Sequence, residues 1–371
     1  MNVMIISSDH TGHGHKSVAD SINEQLVKYP GVNVYTVDGF NLGGNIFLKI
    51  GKLYGSVTRN AKDLWKLIWD ISSKRPSVMN EMTEVMVREN FLKQLSAIKP
   101  DIILSVHPIF NGSILNILEE RRVKIPFVSV IPDLVSISPL WADSRADYTI
   151  CPTLESRDKC LEFGVPEHKL VVTGFPVREK FCRNVNTVRK DTIVGPGRKP
   201  SFLVMSGGEG SGNMSRTAKI LLDNFDCNVR IVTGRNALLK KRLEILLAEK
   251  YNGRIEVFGF TENIQDLMLS SDILFVRGSP NVMMEAAMCN IPMVITGALP
   301  GQEEGNPGYA LKYNLGVVCK DLKKMKGVVQ SLLENGAQKL AGIKKSQREY
   351  RNPEAAGNIV RFVLELVKKA G

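Results

Sequence analysis

The sequence predicts an α/β protein of two Rossmann-like domains, each a parallel sheet flanked by helices, with a cleft between them. Three observations carry this prediction. Short apolar runs alternate with helical patterns throughout, and repeated β-then-α order implies parallel sheets with helices on both faces. The 371 residues suffice for about two domains at roughly 100–200 residues each. A polar stretch near the middle, 183–200, separates two halves that each open on an apolar strand ending in a glycine-bearing turn.

Taken in order, the first half supplies strand-like runs at 3–7, 32–37, 102–106, 127–131, 148–151 and 170–173, with helical patterns at 15–29 and 78–98. The start, Met1-Asn-Val-Met-Ile-Ile6, has no basic leader and turns polar at once. It reads as a first buried strand and not as a secretion signal. The break carries Gly195-Pro196-Gly197 and five basic residues against Asp191 alone, which is the composition of a linker. The second half supplies runs at 202–206, 229–233, 255–258, 273–276, 293–296 and 316–318, with helical patterns at 238–250 and 263–269. The expected division is therefore a domain at 1–182, a linker at 183–200 and a domain at 201–350. An amphipathic C-terminal helix within 351–371 is available to pack back on the first domain.

Composition narrows the function classes. With 43% hydrophobic and 23% charged residues the chain can bury a real core, which argues against disorder. No run of about 18 apolar residues occurs, so no transmembrane helix is expected. The six cysteines contain no C-x-x-C pair, and read as reduced thiols of a cytoplasmic protein and not as a zinc or disulfide framework. Lys and Arg number 49 against 38 Asp and Glu, a net charge of +11. Residues 1–182 carry +1 of this and residues 183–371 carry +10. Such a balance suits an anionic partner: nucleic acid, a phosphorylated ligand or an anionic lipid surface. Nucleic acid is the least favoured, because the basic residues are not interleaved with aromatics on a recognisable module.

Four turns follow strands and carry chemistry-bearing residues. The first, Ser7-Ser-Asp-His-Thr-Gly-His-Gly14-His15, has glycines that let backbone approach a ligand and opens a helix whose N-terminus favours negative charge. It is not the G-x-G-x-x-G of a nicotinamide site, and a tight packing turn is the plain alternative. Its His10, His13 and His15 include a candidate general base, since imidazole titrates near working pH; a metal site is the rival reading, without regular helical spacing to support it. The second, Ser206-Gly207-Gly208-Glu209-Gly-Ser-Gly212, is a candidate backbone-amide cradle for phosphate but not a Walker A loop. The third, Arg277-Gly-Ser279-Pro-Asn281-Val-Met-Met-Glu285, opens a helix one turn before an acid that could bind a ribose diol or simply complement the helix dipole. The fourth, Leu299-Pro-Gly-Gln302-Glu303-Glu-Gly-Asn306, clusters donors and acceptors of the kind sugar hydroxyls need, or is a solvated turn.

In this order the segments resemble the diacylglycerol glycosyltransferases of glycosyltransferase family 28, the plant monogalactosyldiacylglycerol synthases and the bacterial processive diacylglycerol glucosyltransferases. The resemblance runs from Ser7 to about Val318. Gly12-x-Gly14-His15, Val106-His107-Pro108, and Pro132-Asp133-Leu134 with Trp141 match the acceptor half. Thr173-Gly-Phe-Pro-Val-Arg178, the 206–212 turn, Thr233-Gly-Arg235-Asn, Phe258-Gly-Phe260, Glu285-Ala286 and Pro300-Gly-Gln-Glu303 with Gly305-Asn306 match the donor half and hinge.

The resemblance implies a GT-B fold and inverting transfer from a UDP-hexose to a lipid hydroxyl. His15 is then the base and Asp133 an orienting group or alternative base. Gly14, Gly207, Gly208, Glu209, Arg235, Ser279 and Asn281 fall on the donor side. Glu285 would hold ribose, backbone near Phe260 would read uracil, and Gln302, Glu303 and Asn306 would face the sugar. His107 and Trp141 would line the acceptor. No D-x-D occurs, in keeping with metal-independent chemistry and no cofactor beyond the UDP-sugar itself. The chain departs from the relatives at Ser279-Pro-Asn-Val282, where a hydroxyl is replaced, at His13 and at Ser138.

A lipid acceptor requires a membrane surface. Residues 41–75 mix Phe47, Tyr54, Trp65 and Trp69 with seven basic and two acidic residues, a pattern suited to the headgroup region of an anionic bilayer or to an amphipathic helix packed on its own domain. The expected partners are UDP-hexose, diacylglycerol or a similar lipid, and an anionic membrane, with the protein cytoplasmic and peripherally attached. Two other functions fit the same pattern. One is a transferase using UDP-N-acetylglucosamine on another lipid, or a sugar-nucleotide epimerase. The other is a non-catalytic sugar-nucleotide-binding regulator, motivated by Ser279 and Val282.

Overall fold

The computed structural model describes residues 1–9, 13–45, 47–49, 51, 61–183, 198–205, 213–248, 250–251 and 253–370. Among them, two six-stranded parallel sheets are formed. The first contains β1 (Asn2–Ser7), β2 (Asn33–Asp38), β3 (Ile102–Ser105), β4 (Phe127–Val130), β5 (Tyr148–Cys151) and β6 (Leu170–Val172) in the order β2-β1-β3-β4-β5-β6. The second contains β7 (Ser201–Met205), β8 (Asn228–Val232), β9 (Ile255–Phe258), β10 (Ile273–Val276), β11 (Met293–Ile295) and β12 (Gly316–Val318) in the order β12-β11-β10-β7-β8-β9. Every strand predicted from the apolar runs is present with ends displaced by about one residue, the usual uncertainty of strand limits. The α/β class with two Rossmann-like sheets is thus the observed architecture.

The chain divides into two compact units. One comprises Met1–Glu179, Pro300–Gln302 and Asn352–Gly371, and the other Lys180–Leu299 and Glu303–Arg351. Each has its own core. In the first, Met4 and Ile6 of β1 pack with Phe40, Phe91, Phe110, Ile114 and Phe127. In the second, Phe202, Val204, Ile231 and Phe275 pack with Leu221, Leu243 and Leu340 from the covering helices. Each such side chain, fully removed from water, stabilises its unit by about 1.5–3 kcal/mol before entropy is counted.

The helix Ala355–Ala370 belongs to the first unit and lies against the helix Gly14–Leu26. Its Ala355, Ala356, Ile359, Val360 and Val363 are buried, a spacing of three and four that places them on one face. The Phe362 ring meets Tyr148 of β5 edge-on at 4.9 Å. Ahead of the helix, the Asn352 side-chain amide donates to the Thr173 carbonyl at 3.1 Å. The C-terminal helix therefore packs beside the histidine-bearing helix and reaches β5 through Phe362.

In each sheet the strand order reverses once, between β1 and β3 and between β7 and β10. Ligands of open parallel sheets bind beyond the strand C-termini at such reversals, because the loops there diverge to opposite faces and leave a crevice. The reversal in the first sheet is where His15 and His107 emerge. In the second it is where the Arg277–Asn281 segment emerges, after β10; the 206–212 stretch lies outside the described residues.

Candidate active site

Strands β1 and β3 run side by side with Ile6 opposite Ser105, and the Val106 amide donates to the Ile6 carbonyl at 2.8 Å. The two loops that follow are consequently adjacent. One enters the helix Gly14–Leu26, whose second residue is His15. The other enters the short turn Pro108–Phe110, which His107 caps by accepting the Ile109 amide on its Nδ1 at 3.4 Å. The two imidazoles stand with ring centroids 4.3 Å apart and tilted by 48°.

The His15 Nδ1 lies 2.6 Å from the Val106 carbonyl oxygen. A carbonyl only accepts, so Nδ1 carries the hydrogen of the neutral ring and Nε2 is the basic nitrogen, an assignment set by the partner. His15 is buried, and burial pushes its pKa down from 6.5 to about 4, with the Val106 bond opposing. His107 is also buried and is held well below its ordinary value, by burial first and by the neighbouring His15 second. Both rings are thus neutral at pH 7, since loss of hydration disfavours the imidazolium. Phe40 and Phe110 stand at 5.5 and 5.2 Å from the His107 ring and provide the apolar wall responsible.

Trp141 adjoins the same centre, 6.3 Å from the His15 ring and fully buried. Its indole N–H donates to Asp133 Oδ2 at 3.1 Å, and the Gln302 amide donates to Asp133 Oδ1 at 3.3 Å. A buried carboxylate accepting two neutral donors is fixed in direction, which is what an orienting group requires. Gln302 lies in the short segment Pro300–Gln302 that clusters with the first unit. Gly301 has φ of +77°, and a β-carbon there would stand 2.5 Å from Trp69; both the left-handed backbone and the close approach of the indole require glycine. Trp69 itself stands 6.3 Å from Trp65.

In the second unit, parallel pairing of β10 with β11 puts Val276 opposite Ile295. That brings Arg277 to the turn after β11, where its guanidinium engages Glu303 through Nε at 2.8 Å and Nη2 at 2.9 Å. The Leu299 amide donates to the same carboxylate at 2.8 Å. Glu303 is therefore a clamp on its own loop as well as a polar group facing it. Asn306 is fully buried, donates to the Gly278 carbonyl at 2.8 Å, and leaves its side-chain oxygen without a protein donor.

Ser279 precedes the helix Pro280–Met288, in which Asn281 and Glu285 are both buried. Burial of a carboxylate one turn into a helix is more than the helix dipole alone explains. Arg235 stands over the Phe260 ring at 5.4 Å, so these two candidates share one exposed platform.

The first unit thus unites Gly14, His15, His107, Asp133, Trp141 and Gln302, and the second unites Ser279, Asn281, Glu285, Glu303 and Asn306 about the end of β10. Phe47 is elsewhere. It is buried against Phe40 and Phe110, at 4.8 and 6.1 Å, and is a packing residue with no face for a membrane. Tyr54, Gly207, Gly208 and Glu209 lie outside the described residues. Sequence reasoning passed over the Val106 carbonyl, which has no side-chain signature, and over the Arg277 partnership with Glu303, which needs the β10–β11 pairing to be known. Among the described residues, no group of three His, Cys, Asp or Glu is placed to hold a metal ion, and no helix is long and apolar enough to cross a membrane.

Two reversing parallel sheets of this kind constitute the GT-B architecture of the glycosyltransferases. The crystal structure of MurG from Acinetobacter baumannii matches it with a TM-score of 0.65 at 13% identity, over 98% of this chain and 99% of that one. The UDP-GlcNAc 2-epimerase from Neisseria meningitidis, bound to UDP-GlcNAc, matches with a TM-score of 0.66 at 15% identity, over 98% and 100%. At such identities the likeness is one of fold.

The family model for monogalactosyldiacylglycerol (MGDG) synthase matches residues 15–177, which hold His15, His107, Asp133 and Trp141. The probable monogalactosyldiacylglycerol synthase 2 (chloroplastic) of Oryza sativa subsp. japonica is 28% identical over 98% of this chain and 80% of the relative. Monogalactosyldiacylglycerol synthase 1 (chloroplastic) of Arabidopsis thaliana is 28% identical over 99% and 71%. The chain is a homologue of the monogalactosyldiacylglycerol synthases.

Proposed function

We propose that this chain is an inverting glycosyltransferase that moves a hexose from a UDP-sugar to diacylglycerol or a related lipid acceptor. It would work without a metal, at the cytoplasmic face of an anionic membrane. The observation that carries the reading is His15: a buried, neutral imidazole at a strand-order reversal, with Nδ1 tied to Val106 and Nε2 left as the basic nitrogen. Homology with enzymes named for making a galactolipid supports the choice of acceptor.

In this reaction the acceptor hydroxyl gives its proton to His15 Nε2 as its oxygen bonds to the anomeric carbon, and the bond from that carbon to UDP breaks. Asp133, held by Trp141 and Gln302, orients the acceptor. The 206–212 turn and the start of the Pro280–Met288 helix would stabilise the diphosphate charge as it grows. Glu285 would take the ribose, the backbone beside Phe260 the uracil, and Gln302, Glu303 and Asn306 the hexose. A base with pKa near 4 is weak on its own, and an arriving diphosphate raises it by favouring the imidazolium.

The test is purified protein with diacylglycerol vesicles and UDP-glucose, UDP-galactose or UDP-N-acetylglucosamine in turn, with lipids read by mass spectrometry. One hexose donor should yield glycolipid and free UDP, undiminished by a chelator, and His15→Ala should lose about 10²- to 10⁴-fold in turnover. Interconversion of a UDP-sugar without acceptor, or near-normal turnover by His15→Ala, overturns the reading.

A further inference from the structure

Core packing accounts for only one side of the helix Ala237–Ala248 in the second unit. Leu243 and Leu247 point into the core and are fully buried. On the opposite side Leu238, Ile245 and Leu246 are 84%, 67% and 53% exposed. At about 100° per residue, Leu238, Arg242 and Ile245 fall on one stripe with Lys241 and Leu246 along its edges. Lys241 and Arg242 are exposed as well, while Glu244 lies off the stripe and pairs with Lys240 at 3.4 Å.

Single exposed aliphatics are ordinary, but a row of three along one helix needs a reason. Composition and charge choose the occupant. Cores of protein–protein interfaces are depleted in lysine and enriched in aromatics, whereas aliphatics interleaved with Lys and Arg characterise helices that lie in a bilayer interface. The half of the chain that bears this helix holds +10 of the total +11 charge, so its field draws anionic surfaces.

We propose that the outer face of the Ala237–Ala248 helix docks on an anionic lipid bilayer. Leu238, Ile245 and Leu246 enter the headgroup region, and Lys241 and Arg242 meet lipid phosphates. This surface lies in the second unit, is separate in sequence from the aromatic 41–75 stretch, and does not depend on the proposed reaction.

The experiment uses the full chain in co-sedimentation with vesicles of phosphatidylcholine alone or mixed with phosphatidylglycerol. The Leu238→Gln/Ile245→Gln pair should bind mixed vesicles at least about tenfold more weakly. The Lys241→Gln/Arg242→Gln pair should lose about fivefold per residue and with it most of the preference for the anionic lipid. Because the altered side chains are exposed, the thermal midpoint should stay near that of the parent. An Ile245→Trp form should gain indole quenching by chain-brominated phosphatidylglycerol, a readout that does not rely on loss of binding. Unchanged partition in both pairs, or no added quenching, overturns the proposal. So does a change in mass by light scattering with lipid binding intact, which would make this face a protein contact.

Discussion

His15 shows how one side chain acquires its properties from groups the chain supplies elsewhere. Burial lowers its pKa from 6.5 to about 4, and this has two consequences with defined signs. A general base works when unprotonated, above its own pKa, so the acid limb of kcat/KM should fall near pH 4 and not near 6.5. A pH series on the transfer reaction checks this, and a midpoint at the ordinary imidazole value would exclude His15 as the group reported. Stability moves in the same direction. Between pH 6.5 and about 4 the unfolded chain takes up a proton that the folded one refuses. The contribution is therefore complete above 6.5 and is lost as pH falls toward 4. It amounts to about 3 kcal/mol from that shift, measurable by denaturant unfolding of the parent against His15→Asn. The histidine-rich turn is visible in the sequence, and so is the candidacy of His15. Its tautomer is not, because the group that decides it is a backbone carbonyl 91 residues away.

At the scale of elements, the twelve strands found among the described residues were recoverable from the chain because strands buried on both faces of a parallel sheet read as unbroken apolar runs. Helices were recoverable through apolar spacing, as with the C-terminal one. Ile359 on that helix is fully buried, so Ile359→Ala should cost about 2–5 kcal/mol, the transfer term plus the void left behind. The loss should appear as a lower urea midpoint at unchanged slope. What an apolar spacing does not convey is which of two faces is covered. Phe47 stands in a stretch of mixed aromatic and basic residues and looks like its neighbours, yet it is inside the core with Phe40 and Phe110. The Ala237–Ala248 helix shows the converse, apolar on the side that the core does not reach.

Across the whole molecule the charge is lopsided, with +10 of +11 in residues 183–371. Attraction of that half to an anionic bilayer is screened by salt over a Debye length of about 8–10 Å near physiological ionic strength. Binding to phosphatidylglycerol vesicles should accordingly weaken as sodium chloride is raised, leaving a residue due to the apolar side chains. Binding that is indifferent to salt would remove charge from the account. Strand order, by contrast, is a property of the folded molecule. It brings His15 beside His107, and Arg277 to Glu303, which stand far apart along the chain.

Local signals were sufficient for the class of fold, the number of strands, the turns that follow them and the kinship those turns announce. Each is written in contiguous residues, through apolar runs, glycine placement and helical spacing. The Asp133 carboxylate held by Trp141 and by Gln302, 169 residues distant, was settled only by folding, as were the neutrality of the paired imidazoles and the burial of Phe47. Hydrogen-bond partners and exclusion of water depend on register and packing between segments, and no stretch of chain carries that information alone.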